Sequence, residues 1–347
     1  MTSIFMGILL LIMTLTIFST FSLKAPKGES AMQGLAQAAV ASFLVEAIHR
    51  YVNGGLLGSQ YFNELGSIYG KMGGPAAAIL VTLNLGVNPV FGVVAGIAVM
   101  EYGILSGFIA GYIISFIAPH IEKRLPDGVN MIVGVILLAP LTRIIAYFVS
   151  PVVNNTLFTI GQVITMAAEQ SPYFMGFFLG GVIKIMCTSP MSSMALTAMI
   201  NLQGLAMGIA AISSFAGAFT NGYIFNKLKL GDKSDIISVM LEPLTQADVI
   251  SKNPIPVYLA DFIGGGLGGI AAAYFGIVNN AAGTASPIPG MLAPFGFNPP
   301  SKVILTLFLA AAGGLIGGYI GHKIYILTIS LKEIILSNDK GVKRSSS

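Results

Sequence analysis

IMCTSPMSSMALTAMINLQGLAMGIAAISSFAGAFTNGYIFN, residues 185–226, runs for 42 positions without an Asp, Glu, Lys or Arg, and residues 262–301 do so for another 40. Over the whole chain of 347 residues, 54% are hydrophobic and 9% are charged. A soluble domain carries roughly a quarter charged residues to cover its surface. The sequence therefore predicts an integral membrane protein, with room for about ten crossings of roughly 20 residues each.

The charged residues indicate the orientation of the chain. The net charge is +4, but the basic residues fall in short clusters, which on the positive-inside rule mark cytoplasmic loops and give no reason to expect nucleic-acid binding. One cysteine, Cys187, excludes an internal disulfide and a thiolate metal site, so neither a metal nor another cofactor is expected. The clusters are Lys24 with Lys27; Lys123 with Arg124; Lys227, Lys229 and Lys233; and Lys340, Lys343 and Arg344.

The amino-terminal stretch 4–22 is apolar and lacks the basic start and small-residue cleavage pattern of a secretory signal, so we expect a retained anchor. Residues 1–30 are predicted to form this anchor and a cytoplasmic link, residues 31–330 the transmembrane domain, and residues 331–347 a cytoplasmic tail. This predicts a multi-pass membrane protein with its carboxyl terminus on the cytoplasmic side.

Hydrophobic runs and their interruptions predict an all-α polytopic protein of about ten hydrophobic segments, some of them re-entrant. The predicted segments after the anchor are a helix at 32–49, two crossings within 75–118, a span at 128–150, an amphipathic helix at 154–169, and spans from 173 to 188, 203–226, 257–278 and 302–329.

Four X-Pro breaks separate apolar runs: Asn88-Pro89, Ser189-Pro190, Asn253-Pro254 and Ser286-Pro287. Proline frees backbone groups that hydrocarbon cannot satisfy, so such breaks persist where they are buried in protein or line a wet cavity. Paired broken segments are the usual pointer to a midplane substrate site in a transporter. We expect three breaks to converge on one polar cavity near the bilayer midplane: Ser189-Pro190, Glu242-Pro243 with Asn253-Pro254, and Ser286-Pro287. The alternative is that single prolines are loop turns or packing kinks.

The densest polar constellation follows Leu241 and combines carboxylates, a hydroxyl and amides beside helix-breaking prolines. This inventory suits a polyhydroxylated ligand, because a carboxylate accepts bonds from two hydroxyls and an amide both donates and accepts. No phosphate-binding loop, metalloprotease motif or nucleophile elbow is found, so no catalytic residue is predicted. The predicted substrate-binding residues are Glu242, Thr245, Gln246, Asn253, His49, Glu46, Asn88, Thr188, Ser189, Ser192, Asn279, Asn280, Thr284 and Ser286.

Each of these assignments has a structural alternative. Hydroxyls in membrane helices usually bond to the backbone or join helices. Glu242 and Asp248 could face the cytoplasm beside the basic loop 226–233. Glu46 and His49 lie three apart on one helix face, where they could bind substrate, relay protons or form a salt-linked network with Arg143.

The stretch PHIEKRLPDGVNMIVGVILLAPLTRIIAYFVSPVVNNTLFTIGQVI, residues 119–164, resembles the central segment of fructose-type membrane IIC components of the bacterial phosphotransferase system. Further stretches resemble the IIC-like branch that includes the perfringolysin O regulator, and the resemblance covers most of residues 30–325. These stretches are TSPMSSMALTAMINLQGLAMGIA at 188–210, LTQADVISKNPIPVY at 244–258 and AGTASPIPGMLAPFG at 282–296.

The resemblance implies a homodimer with re-entrant hairpins and a sugar site, in which Glu242-Pro243 looks like the sugar-binding Glu-Pro of a hairpin tip. Val239-Met240-Leu241 stands where relatives carry Gly-Ile-Thr. The chain has no room for IIA or IIB modules. Either separate IIA and IIB proteins act with it, IIB docking near Lys123 and Lys229, or the protein moves or senses a solute without phosphorylation. The expected function is a transporter subunit for a sugar or a related polar organic solute, working by alternating access. The alternatives are a membrane regulator that senses a small molecule, and an ion-coupled anion carrier using Arg143 and Lys184.

Overall fold

A computed structural model describes residues 2–126, 128–189 and 191–345, so Pro190 of the second predicted break lies outside the described residues. The chain is 85% helical, and these ranges contain no strand, which confirms the all-α prediction. The helices are α1 Thr2–Lys24, α2 Gly28–Ala39, α3 Gln60–Lys71, α4 Gly73–Asn84, α5 Pro89–Ala98, α6 Ile104–Arg124, α7 Val129–Gln170, α8 Pro172–Thr188, α9 Ser193–Met199, α10 Gly204–Leu228, α11 Lys233–Leu241, α12 Ala247–Lys252, α13 Pro254–Tyr274, α14 Pro287–Leu292 and α15 Pro300–Ser345.

Ten apolar helical segments account for the predicted number of hydrophobic segments. Across the described ranges, seven are long and apolar enough to cross a membrane, and α4, α5 and α8 are shorter. One of the seven, Gly28–Gly55, combines α2 with two π-helical stretches, Val40–Leu44 and Ala47–Leu56. π-Helical turns within an α-helix are often found at functional sites.

One bundle is formed by α8, α10, α13 and α15, and its helices approach closely through glycines. Gly176 and Gly180 on α8 face Gly265 and Gly269 on α13, and in each pair the glycines lie four residues apart. A Cβ at any of the four would overlap backbone of the facing helix. This is the small-residue packing that lets membrane helices associate. The glycine-rich faces of α8 and α13 therefore pack against each other inside one protomer.

A second group consists of α2, α4, α5, α6 and the first half of α7, and α1 packs along the second half of α7. The region 75–118 was predicted to hold two crossings but contains α4, α5 and most of α6. The turn between α4 and α5 uses Gly86 at φ 85°, and Asn88 caps α5 by accepting a hydrogen bond from the Val90 amide at 2.9 Å. With 12 and 10 residues, α4 and α5 are about 18 and 15 Å long. Each is shorter than the roughly 30 Å hydrocarbon layer.

The predicted division between a span at 128–150 and a separate amphipathic helix at 154–169 is wrong, because α7 is continuous over 42 residues. Pro140 and Pro151 both lie inside it. Next to Pro151, the Asn154 side-chain amide donates to the Ser150 hydroxyl at 3.1 Å, which forms a side-chain bridge across the turn that contains the proline. The helix is about 63 Å long, roughly twice the hydrocarbon thickness.

Two broken segments enter the α8, α10, α13 and α15 bundle from opposite ends. The hairpin of α11, the 3-10 turn Pro243–Gln246 and α12 follows the carboxyl end of α10. Asp232 and Asp235 form a capping box that starts α11, a helix that the sequence analysis did not predict. The segment 275–299 contacts the amino end of α10, where the backbone N–H of Asn279 donates to the Gly204 carbonyl at 3.0 Å. Glu242 and Ser286 lie within these two segments.

This arrangement predicts that residues 120 and 230 lie on the same side of the membrane. α8 and α10 run in parallel, since Gly180 contacts Ser213 and Lys184 contacts Gly217, so α9 must return between them and α8–α9 makes no net crossing. Between residues 120 and 230 the chain therefore crosses the membrane twice, through α7 and through α10, and returns to the side from which it started. Single cysteines at positions 120 and 230, in a Cys187→Ala background, should react with an impermeant maleimide from the same side. Labelling from opposite sides would contradict the topology.

Candidate functional site

The tips of the two broken segments meet through one hydrogen bond, in which the Ser286 hydroxyl donates to Glu242 Oε2 at 2.8 Å. Glu242 ends α11 in extended conformation, and Ser286 precedes the proline that starts α14. Burial raises the pKa of the Glu242 carboxyl, and the bonds from the Ser286 hydroxyl and the Leu244 amide oppose this rise. The site thus presents a partly buried carboxylate with one hydroxyl partner.

The other predicted residues of the α11–α12 hairpin form local bonds. The Thr245 hydroxyl donates to the Glu242 carbonyl at 2.7 Å, the Gln246 amide donates to Asp235 Oδ1 at 3.2 Å, and the Asn253 amide donates to the Val249 carbonyl at 3.0 Å. These bonds hold the shape of the hairpin. Their place in ligand binding stays a prediction.

A fully buried network lies beneath the tips, where α8, α10 and α13 meet. Lys184 Nζ lies 3.7 Å from Asp261 Oδ1, and both side chains are 0% exposed. The Thr188 hydroxyl donates to Asp261 Oδ2 at 2.8 Å. Asn221 satisfies both charges when its amide nitrogen faces Asp261 at 2.9 Å and its oxygen faces Lys184 at 3.0 Å. The ammonium of Lys184 also favours the ionised form of Glu242.

Asp261 and Asn221 were missed by the sequence analysis. The available signal was the presence of Lys184 and Asp261 within two separate apolar segments, because opposite charges at membrane depth usually pair. The pairing also changes the reading of Lys184, which the anion-carrier alternative required as a cation for a ligand. Its charge is balanced by Asp261 inside the bundle.

The residues around Pro190 connect α8 to the segment that carries Ser286. Ser189 bonds the Met186 carbonyl at 2.9 Å, and Ser192 caps α9 by accepting from the Ala195 amide at 3.3 Å. Ser193, which was not predicted as a site residue, donates to the Ala285 carbonyl. The segment that follows Ser189 therefore contacts the segment that precedes Ser286, through the bond from Ser193 to the backbone beside Ser286.

The loop before Ser286 is held by its own polar side chains. Asn279 accepts from the Ala281 amide and donates to the Thr284 hydroxyl, each at 2.9 Å, and both side chains are buried. Asn280 accepts from the Gly204 amide at 3.1 Å. Asn279 and Thr284 thus shape the loop, while the exposed Asn280 side chain faces a cavity.

Two cavities lie along the helical stretch Gly28–Gly55, one beside α2 and the other beside the π-helical region that follows it. The larger, of 490 Å³, is called the Glu29 cavity; its lining includes Glu29, Gln33, Ala41, Thr245 and Asp248. The smaller, of 280 Å³, is called the Glu46 cavity; its lining includes Phe43, Glu46, Arg50, Asn201 and Asn280. The first borders the α11–α12 hairpin, and the second borders the segment 275–299.

The remaining predicted residues lie away from the tips. Glu46 pairs with Arg50 at 2.6 Å, and His49 contacts the Asn53 amide at 3.1 Å and stacks on Phe62. Asn88 is a helix cap.

The suggested network between Glu46, His49 and Arg143 is wrong. Arg143 instead donates to the Ala98 and Met100 carbonyls and lies 3.7 Å from Glu101, because it closes the end of α5. Within the described ranges, no three His, Cys, Asp or Glu side chains are grouped in a way that could hold a metal ion.

Comparison with known proteins identifies a family for this chain. No curated protein and no solved structure matches the chain. A family model described as "Phosphotransferase system, EIIC" matches residues 29–337, which is most of the chain. Membership implies a membrane transporter component that works with IIA and IIB proteins on a sugar. With its ten apolar helical segments, the chain is a multi-pass membrane protein that belongs to the EIIC family of the phosphotransferase system.

Proposed function

We propose that this chain binds a polyhydroxylated solute, a sugar or a related polar organic compound, between the Glu242 and Ser286 tips and moves it by alternating access. The observation that carries the proposal is the hydrogen bond between segments that enter the bundle from opposite ends. A solute held by both tips is in contact with elements reachable from either side. This is the placement that a carrier with one central site requires.

The chemistry of Glu242 supports this choice of ligand. A carboxylate has acceptor sites for several hydroxyls, and Ser286 occupies one oxygen with a hydroxyl of the kind that a sugar carries. A solute hydroxyl can replace the serine without changing the type of bond. Because the acceptor is charged, the new bond is stronger than one between neutral groups.

The Glu29 cavity provides an approach to these tips. Leu244 and Thr245, which follow Glu242 on the hairpin, line this 490 Å³ space. Its volume is within the range of small-molecule sites, roughly 300–1,000 Å³. Glu242 does not line the cavity in the described conformation, so binding requires the tips to separate.

The partners and the membrane orientation complete the proposal. The carboxyl end of α10 and that of α15 lie at the same end of the bundle, because both helices run antiparallel to α13. With Lys227, Lys229 and Lys233 placed in the cytoplasm, the carboxyl terminus is cytoplasmic as well. A IIB protein, supplied with phosphoryl groups by IIA, docks at the loops near Lys123 and Lys229. The domain limits 1–30, 31–330 and 331–347 belong to the same proposal.

Homodimerisation is also proposed, from the family resemblance. Its interface must use faces other than the glycine-rich ones of α10 and α13, since those pack inside the protomer.

Glu242→Gln tests the site. Thermal stabilisation of the purified protein against sugars, polyols and small acids first identifies a ligand, because a binder at 100 times its dissociation constant adds about 2.7 kcal/mol. Glu242→Gln keeps the shape but removes the charge, so affinity should fall by about 1.5 to 3 kcal/mol. The fall is measured as the increase in dissociation constant by titration calorimetry.

Two matched controls accompany this variant. Glu64→Gln changes an exposed carboxylate outside the site and should leave the affinity unchanged. Asp248→Asn alters an exposed residue at the edge of the Glu29 cavity and should weaken binding less than Glu242→Gln. Unchanged affinity in Glu242→Gln would show that this carboxylate is structural.

A further inference from the structure

We propose that the Glu46 cavity is a second binding site for polyhydroxylated solutes, separate from the site at Glu242. The cavity lies against the segment 275–299, at the opposite end of the bundle from the α11–α12 hairpin. Its lining draws on the π-helical region after α2, on the end of α9 and on the loop before Ser286. The inference rests on the proposed function for the class of solute.

The cavity offers donors and an acceptor suited to hydroxyl groups. Arg50 bonds Glu46 Oε1 at 2.6 Å, and Tyr51 contacts the same oxygen at 3.5 Å. Within the described part of the chain, Glu46 Oε2 accepts no hydrogen bond. The Asn280 and Asn201 oxygens accept from the Gly204 amide and from Gln203. Their amide N–H groups donate to no described residue, so donors and an acceptor are available together.

Glycines create the space for this arrangement. Gly70, Gly73, Gly74 and Gly103 line the cavity. A Cβ at Gly70 would overlap the Glu46 carboxylate, so only glycine leaves that carboxylate in place. The 280 Å³ space adjoins a second one of 330 Å³ that shares Gly103, Ile104, Ala198 and Asn201 with it. Together they reach the size of small-molecule sites, roughly 300–1,000 Å³.

The Glu46 cavity and the Glu29 cavity share no lining residue. Val40 and Ala41 line the Glu29 cavity, whereas Phe43, two residues further along the chain, lines the Glu46 cavity. The chain is π-helical here, over Val40–Leu44. Phe43 is 8% exposed and packs on Gly283, which has φ 85° and no room for a side chain. The Glu46 cavity is therefore bounded by a packed aromatic ring that does not line the Glu29 cavity.

The test uses two matched alanines as thiol reporters. Ala282 lines the Glu46 cavity and Ala247 lines the Glu29 cavity. Each is changed to cysteine in a Cys187→Ala background, and the rate of maleimide labelling is followed against rising concentrations of glucose, fructose, mannitol or gluconate. Glu46→Gln and Glu242→Gln, the same chemical change at each site, are then added separately.

For a probe that protects both thiols, we expect each of the two Glu→Gln substitutions to affect the protection of one thiol only. Glu46→Gln should raise the half-protecting concentration about tenfold for the thiol at position 282 and leave that at position 247 unchanged. Glu242→Gln should do the reverse. Protection at position 282 that is unaffected by Glu46→Gln but weakened by Glu242→Gln would overturn the second site.

Absence of protection at position 282 by every probe would also overturn it, and would leave the Glu242 site standing if position 247 is protected. Protection at position 282 alone would support the second site and contradict the proposed function. A melting temperature equal to that of the parent confirms that each reporter variant is folded.

Discussion

Lys184→Met should destabilise the protein by about 3 to 5 kcal/mol, because it leaves the carboxylate of Asp261 buried without its counter-charge. Both side chains are fully buried, so water cannot compensate. Asp261→Asn should have a comparable effect by leaving the ammonium unpaired. Unfolding in mixed micelles of rising SDS content measures the change.

The double variant Lys184→Met, Asp261→Asn should be closer to the parent than either single variant. It removes both charges together, and an asparagine at position 261 can still bond Thr188 and Asn221. Lys24→Met, at an exposed position, is the control for loss of a lysine. Single variants no less stable than this control, or a double variant with the sum of both losses, would show that the pair is not coupled in this way.

Gly269→Leu should cost about 3 kcal/mol, at the upper end of the range for overpacked cores, because its side chain would enter the backbone of α8 at Gly176. The backbone there cannot move aside without separating α8 from α13. The same unfolding assay reports the loss, and solute binding should weaken with it, since Thr188 and Asp261 lie on these two helices.

Gly55→Leu is the matched control, because a side chain at the exposed Gly55 meets only ordinary contact with the Arg50 carbonyl at 3.7 Å. Equal stability of the two leucine variants would mean that the α8–α13 contact does not depend on glycine.

The sequence was most informative about features that depend on local composition. Charge-free runs such as 185–226 predict membrane segments directly, because the bilayer penalises every charge. The extent of α7 was not predictable in this way. Pro151 is a helix breaker by local rules, and the bridge from Asn154 to Ser150 that accompanies the unbroken helix is a property of the folded helix. The start of α11 was readable in principle, since Asp232 and Asp235 have capping-box spacing.

The candidate site likewise combines features that the local sequence indicates with features that depend on the folded chain. Glu242 and Ser286 were both proposed from polar residues beside prolines, but their contact at 2.8 Å depends on how two distant segments fold back. Glu46 and Asn280 were predicted as substrate-binding residues together with Glu242, whereas they line a cavity that does not include Glu242. Sequence spacing does not reveal which end of a bundle a broken segment enters. Asp261 was overlooked because it was not considered together with Lys184, the opposite charge in another apolar segment.

The Ser286 hydroxyl competes with a solute for the carboxylate of Glu242. A solute hydroxyl and the serine hydroxyl require the same carboxylate oxygen, so the observed affinity is the intrinsic one reduced by the free energy of the tip contact. A hydrogen bond to a charged group, of about 1.5 to 3 kcal/mol, corresponds to a reduction of roughly tenfold to 150-fold. By reciprocity, solute binding loosens the two segments by the same factor. The solute-bound protein thus differs from the empty protein in how strongly its two broken segments are held together, before any larger movement begins.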